Sequence, residues 1–190
     1  DFGRTKPELE KKEHFFEENK GKIIIKDKEV DKAERCIRYI PDHVMDIINA
    51  GKTEYVINQP ISNLPFKGII DCYNDRVIEV KTTSESSADK LIASFFNLKY
   101  PMQAAIYGVL AKKEFGLDYY PNTTYLVIQT VAPYRAYFIE ADKDYHIYGQ
   151  RLLDKVISTF NYTNKEGLWD NGWDIQSIGL PAWATKELDN

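Results

Sequence analysis

GIIDCYNDRVIEVKTT, residues 68–83, places an aspartate inside one apolar run and a glutamate and a lysine inside the next. The two runs read as strands joined by turn residues. An ionised side chain taken out of water costs on the order of several kcal/mol unless something compensates it, so Asp71, Glu79 and Lys81 call for an explanation. Residues two apart on a strand share a face. Glu79 and Lys81 therefore project together, while Ile78 and Val80 point into the opposite layer. If Asp71 pairs across from Glu79, Tyr73 falls opposite Val77, Asn74, Asp75 and Arg76 form a three-residue loop, and the two acidic residues lie roughly 5 Å apart at Cβ.

Carboxylates that close repel one another unless a proton or a cation lies between them. A hard oxygen donor set with room for water suits Mg²⁺, with Mn²⁺ as a substitute. Such an ion polarises a phosphate and lowers the pKa of a bound water, and Lys81 beside it can hold that water and offset developing negative charge. The competing reading is a solvent-facing ion pair in an ordinary hairpin. The near-continuous apolar character of IIDCY and VIEVK leaves no obvious solvated face and weighs toward the site.

The 190 residues suit one domain of ordinary size, and 43% hydrophobic with 28% charged residues suits a globular chain. The longest apolar runs fall far short of the roughly 20 residues of a membrane span, and the opening DFGRTKPELEKK has neither a signal core nor a transit pattern. A cytoplasmic location is expected. Cys36 and Cys72 make no metal or iron–sulfur spacing and are expected to be small core residues. The net charge of −4 argues against binding nucleic acid through a basic surface alone. The acidity gathers in residues 140–190 (net −4), whereas 1–40 carry +1 and 41–139 carry −1, so a local basic groove is compatible with the total.

Along the chain, residues 7–20 read as a surface helix stopped by Gly21, and KIIIK (22–26) as a short strand. Asp27 is a candidate cap for a helix running to Gly51 and broken at Pro41. EYVINQPI, PFKGIIDCY and RVIEVKTT read as strands. SSADKLIASFFN and YPMQAAIYGVLAKKEFG read as helices, the second with Pro101 in its first turn and Gly116 at its end. TTYLVIQTV and RAYFIEA flank the turn Ala132-Pro133-Tyr134, residues 142–163 return to helix, and the Gly- and Trp-containing remainder is expected to pack on the body. This order predicts an α/β fold: a mixed central sheet of about five strands flanked by helices.

Asp71 followed by Glu79-Val80-Lys81 resembles the D…(D/E)XK signature of the PD-(D/E)XK nucleases. Gln103-Ala-Ala-Ile-Tyr107 is similar to the Q-x-x-x-Y element of RecB-type nuclease domains, and Tyr100, Gln103 and Tyr107 share one helix face. From the Arg4-Thr5 segment, through Val80-Lys81-Thr82-Thr83 and Tyr100-Pro-Met-Gln103, to Leu180-Pro181-Ala-Trp183-Ala, the chain resembles the nuclease region of exonuclease VIII, the RecE type of phage and prophage recombination exonuclease. That resemblance implies a restriction-endonuclease-like fold. It also implies metal ligation by Asp71, Glu79, the Val80 backbone carbonyl and a histidine on an upstream helix, with Lys81 as the catalytic lysine. His14, His43 and His146 do not match that histidine. Its position is expected to precede residue 1, which makes 1–190 one exonuclease domain without an N-terminal segment of the longer family chain. Glu54 is a further candidate ligand, and Gln103, Tyr107, Thr82, Thr83 and Arg4 are candidates for contacting DNA or ordering the site.

The expected activity is metal-dependent hydrolysis of DNA phosphodiester bonds. Resection of double-stranded ends 5′→3′, a ring-shaped homo-oligomer and a single-strand annealing partner are what the resemblance implies. A structure-specific or restriction-like endonuclease and a catalytically silent DNA-binding module are the alternatives.

Overall fold

The computed structural model describes residues 5–170. Three helices come first, α1 (Lys6–Glu18), α2 (Asp27–Ile37) and α3 (Asp42–Asn49). Strands β1 (Lys52–Ile61), β2 (Leu64–Tyr73) and β3 (Val77–Thr83) follow, then helices α4 (Ala88–Asn97) and α5 (Tyr100–Glu114). Strands β4 (Thr123–Gln129) and β5 (Ala136–Glu140) and the long helix α6 (Lys143–Glu166) complete the order.

The five strands form one sheet in sequence order. β1–β2, β2–β3 and β4–β5 pair antiparallel, whereas β3–β4 pair parallel because α4 and α5 carry the chain back between them. The expected mixed sheet is therefore present. Helix ends follow local chemistry: Asp142 accepts the Tyr145 N–H at 2.7 Å to cap α6, and Gly167, at φ 64°, closes it.

Two local expectations are corrected. Asp27 is the first residue of α2 rather than its cap; the cap is Lys26, whose N–H donates to the Glu29 carboxylate at 3.1 Å. KIIIK forms no strand, and Ile23 stands 92% exposed. Its side chains have strand character, but among the described residues its backbone has no neighbouring strand to satisfy it.

The sheet is covered on both faces. α2, α3 and the turn between them bury Cys36, Val44 and Ile40 against Leu126 and Ile128 on one side. On the other, α5 and α6 bury Ala105, Leu110, Leu153 and Ile157 against Ile57, Ile70 and Val77. Phe95 of α4 joins Tyr125 and Val127 on that same side. Both cysteines are free and buried, as expected. Among the described residues, no helix is long and apolar enough to cross a membrane.

Two contacts fix the start of α5. A Cβ added at Gly149 of α6 would lie 1.9 Å from the Pro101 carbonyl oxygen, so only glycine admits this approach of the two helices. From the same side, the Tyr145 hydroxyl donates to the Tyr125 hydroxyl at 3.2 Å, and Tyr125 donates to the Tyr100 carbonyl at 3.1 Å. Burial pushes the Tyr145 phenol up to about 12 and raises that of Tyr125 further.

Candidate active site

The β2–β3 hairpin closes as its sequence predicts, with Tyr73 opposite Val77 and Cys72 opposite Ile78 around the loop Asn74-Asp75-Arg76. The register then stops. Asp71 and Glu79 would be the next pair, but instead of a ladder bond the Asp71 Oδ2 accepts the Val80 N–H at 2.7 Å. The carboxylate occupies the place where β2 and β3 part. A strand residue presents its N–H and C=O to the same side, so the Val80 carbonyl is directed toward this gap as well.

The parting begins one strand earlier. β1 and β2 keep register at Thr53–Cys72 and Tyr55–Ile70, but the intervening Glu54 and Asp71 make no ladder pair. Glu54 has a left-handed backbone, φ 48°. Alternation breaks across both positions: Ile70 packs into the α5 core and Cys72 bonds the Ile48 carbonyl of α3, while Tyr73 again stacks on Phe115 at the end of α5. Such dislocations re-aim a side chain, and here the one re-aimed is Asp71.

On β3, Glu79 is 2% exposed and Lys81 Nζ lies 2.9 Å from its Oε2. Burial raises the Glu79 pKa; the hydrogen bond and charge of Lys81 oppose that rise, and the charge of Asp71 adds to it. Glu79 Oε1 is buried without a hydrogen-bond partner. The ammonium of Lys81 also sits 4.7 Å from the Tyr100 ring centroid, which holds it over the start of α5. The solvent-facing ion pair is therefore excluded, because the glutamate is inside the protein.

α5 supplies the wall facing this pair. Gln103 Nε2 donates to the Tyr107 hydroxyl at 3.3 Å, and Gln103 Oε1 is buried without a partner. Burial raises the Tyr107 pKa, with the charges of Glu79, Lys81 and Asp71 all near enough to act on it. Gly68 of β2 lets Tyr107 approach, since an added Cβ would meet its ring at 2.9 Å. A groove lined by Phe66, Lys67, Lys81, Lys99, Tyr100, Gln103 and Tyr107 opens beside the acidic pair.

Not every candidate joins this group. Thr82 is exposed and Thr83 Oγ1 accepts the Glu85 N–H at 3.0 Å, so neither lines the groove. Glu54 is exposed at the dislocation, and Arg4 lies outside the described residues, as does the segment from Leu180 to Ala184. His14 is on α1 with Glu18 as its partner at 3.3 Å, His43 is on α3 and His146 on α6. Among the described residues, no third His, Cys, Asp or Glu completes a metal-holding group. Lys67 and Lys99, by contrast, were not singled out by the sequence, where isolated surface lysines carry no signal; the one local cue is that Lys99 directly precedes the Tyr100-Pro101 helix start.

The donors suit a hard divalent cation. Two carboxylates and a backbone carbonyl are oxygen ligands, and the unpartnered Glu79 Oε1 is a buried acceptor that a cation would satisfy. A family model described as "PDDEXK-like domain of unknown function (DUF3799)" matches residues 4–170. No curated protein matches the chain. Among solved structures, a crystal structure of a "Putative exonuclease" from Eubacterium rectale is similar at 14% identity with a TM-score of 0.61, over 85% of this chain. This chain spans 63% of the length of that one. The likeness is one of fold, a restriction-endonuclease-like mixed sheet flanked by helices.

Proposed function

Because the chain belongs to the PDDEXK-like family, we propose that it is a metal-dependent nuclease hydrolysing DNA phosphodiester bonds, with Asp71, Glu79 and Lys81 as its reaction centre. The observation that carries this reading is the buried Glu79, bound by Lys81 through one oxygen and unpartnered at the other. Asp71, Glu79 and the Val80 carbonyl would hold Mg²⁺ or Mn²⁺, which when bound supplies Lewis-acid polarisation of the phosphate and a more acidic water.

The chain's own groups do the rest. Lys81, held between Glu79 and the Tyr100 ring, presents an ammonium that can orient the attacking water and offset the charge gathering on the phosphate oxygens. Lys67 and Lys99 bring positive charge to the groove beside it and suit contact with the sugar-phosphate backbone. Gln103 and Tyr107 order that wall. The finer reading is a 5′→3′ double-strand exonuclease of the recombination type; it rests on the resemblance of the Arg4-Thr5, Val80-Lys81-Thr82-Thr83, Tyr100-Pro-Met-Gln103 and Leu180-Pro181-Ala-Trp183-Ala segments to that class.

The test compares end-labelled linear duplex with closed circular DNA, with Mg²⁺ and with chelator, for wild type and Lys81→Ala. Mg²⁺-dependent release of nucleotides from linear DNA alone supports the exonuclease. Nicking of the circle makes it an endonuclease. DNA binding without turnover at any Mg²⁺ or Mn²⁺ concentration would sink the enzymatic reading.

A further inference from the structure

Two features lack partners among the described residues and match each other. The first is KIIIK, residues 22–26, between α1 and α2, where Ile23, Ile24 and Ile25 are 92%, 41% and 59% exposed. Lysines bracket it at 20, 22, 26 and 28, and the ammonium of Lys22 donates to the Asn19 side-chain oxygen at 3.2 Å. The second is the outer edge of β5, the last strand of the sheet. Beside that edge runs an apolar groove of about 420 Å³ between α4 and α6, with Ile92, Phe96, Ile139 and Tyr148 open to solvent. Its polar rim is acidic at one end, from Glu140, Asp142 and Asp144, all exposed.

We propose that residues 22–26 of one copy of this chain add to the open edge of β5 in a second copy, seating isoleucines in the α4–α6 groove. The two segments match in length, five residues each. Laid out as a strand, Ile23 and Ile25 share one face and fit the groove, while Lys22, Ile24 and Lys26 turn to the other. Glu140 alternates with the groove-facing Ile139 and so lies on that second face with Phe138, and whichever way the strand runs one of its terminal lysines comes level with it. The Glu140 carboxylate already accepts from Asn122, and Asp142 caps α6, so both are held in place to receive a cation. Pairing satisfies the backbone of a segment whose sequence is that of a strand, and it covers a sheet edge that otherwise invites nonspecific pairing. A second copy is the occupant that the charges favour, because the groove is acidic and the segment basic within one sequence. The contact joins unlike surfaces, so it is head to tail.

The experiment is sedimentation velocity on the 190-residue chain across a hundredfold range of micromolar concentration. It includes an arm variant, Ile23→Asp with Ile25→Asp, and a groove variant, Ile92→Glu with Tyr148→Glu, each checked for folding by circular dichroism. Wild type should self-associate, less so at high salt, and each variant alone should remain monomeric. An equimolar mixture of the two variants should recover a dimer and nothing larger, since one intact groove meets one intact arm. Independently, excess synthetic peptide of residues 19–28 should dissociate wild-type assemblies. A monomeric wild type, variants that associate as wild type does, a mixture that stays monomeric, or a peptide without effect would each overturn the proposal.

Discussion

Lys81 Nζ lies 2.9 Å from Glu79 Oε2 across one intervening residue of β3, and the glutamate it holds is 2% exposed. Lys81 is the group of this pair that reaches the groove. Replacing it with alanine should lower kcat by at least about 100-fold, the loss seen when one transition-state donor is removed. Single-turnover kinetics at saturating DNA would check it; an unchanged kcat would make Lys81 a structural partner of Glu79.

Glu79→Gln probes the donor set. A cation that binds only the folded protein raises its melting temperature, so Mn²⁺ should stabilise wild type and leave Glu79→Gln unmoved. Thermal unfolding with and without Mn²⁺ gives the answer, and an equal shift in both would remove Glu79 from the ligands.

In the groove, Lys67→Ala and Lys99→Ala should each raise KM several-fold with kcat nearly unchanged, because a backbone contact holds substrate and transition state alike. Each should also flatten the dependence of log affinity on log salt by about 1. DNA binding titrated at several salt concentrations measures this directly.

Gly149→Ala should be among the most damaging small substitutions in the protein. Its Cβ would fall 1.9 Å from a backbone oxygen, which cannot swing aside as a side-chain end can. Overpacking of this kind costs roughly 1–3 kcal/mol, or a melting temperature lower by about 3–10 °C. Gly116→Ala, with open space around it, gives the comparison for a left-handed glycine without packing, φ 63°.

At high pH the tyrosine chain should fail first. Folding raises the Tyr145 pKa from 10.0 to about 12, mainly through burial. The stability this contributes is whole below about pH 10 and is lost as pH rises toward 12. Urea unfolding at stepped pH should show that decline in wild type and a shallower one in Tyr145→Phe.

Much of this was legible in the sequence because short-range rules decided it. The two apolar runs IIDCY and VIEVK and the turn residues between them are enough for Tyr73 to meet Val77 around a three-residue loop. What escaped was the departure from alternation. A regular register puts Asp71 in the ladder opposite Glu79; the break at Glu54 and Asp71 turns its carboxylate to the Val80 N–H instead, and no local residue preference announces such a paired dislocation. KIIIK misled for the opposite reason, since its propensity is that of a strand but pairing needs a partner that the described residues do not offer. Lys67 and Lys99 carry no signal as isolated lysines, and it is the approach of α5 to β2 that brings them to one groove.

The hydrogen bond from Val80 to Asp71 gives the protein a spectroscopic reporter of its own. That amide is held by a side chain rather than by a neighbouring strand, so its resonance and its exchange with deuterium depend on where one carboxylate points. On the proposed ligation, a bound ion would draw Asp71 toward it, and the Val80 signal should then shift while those of Cys72 and Ile78, locked in the hairpin, stay still. Occupancy of the reaction centre can then be followed in nitrogen-labelled protein without DNA and without turnover.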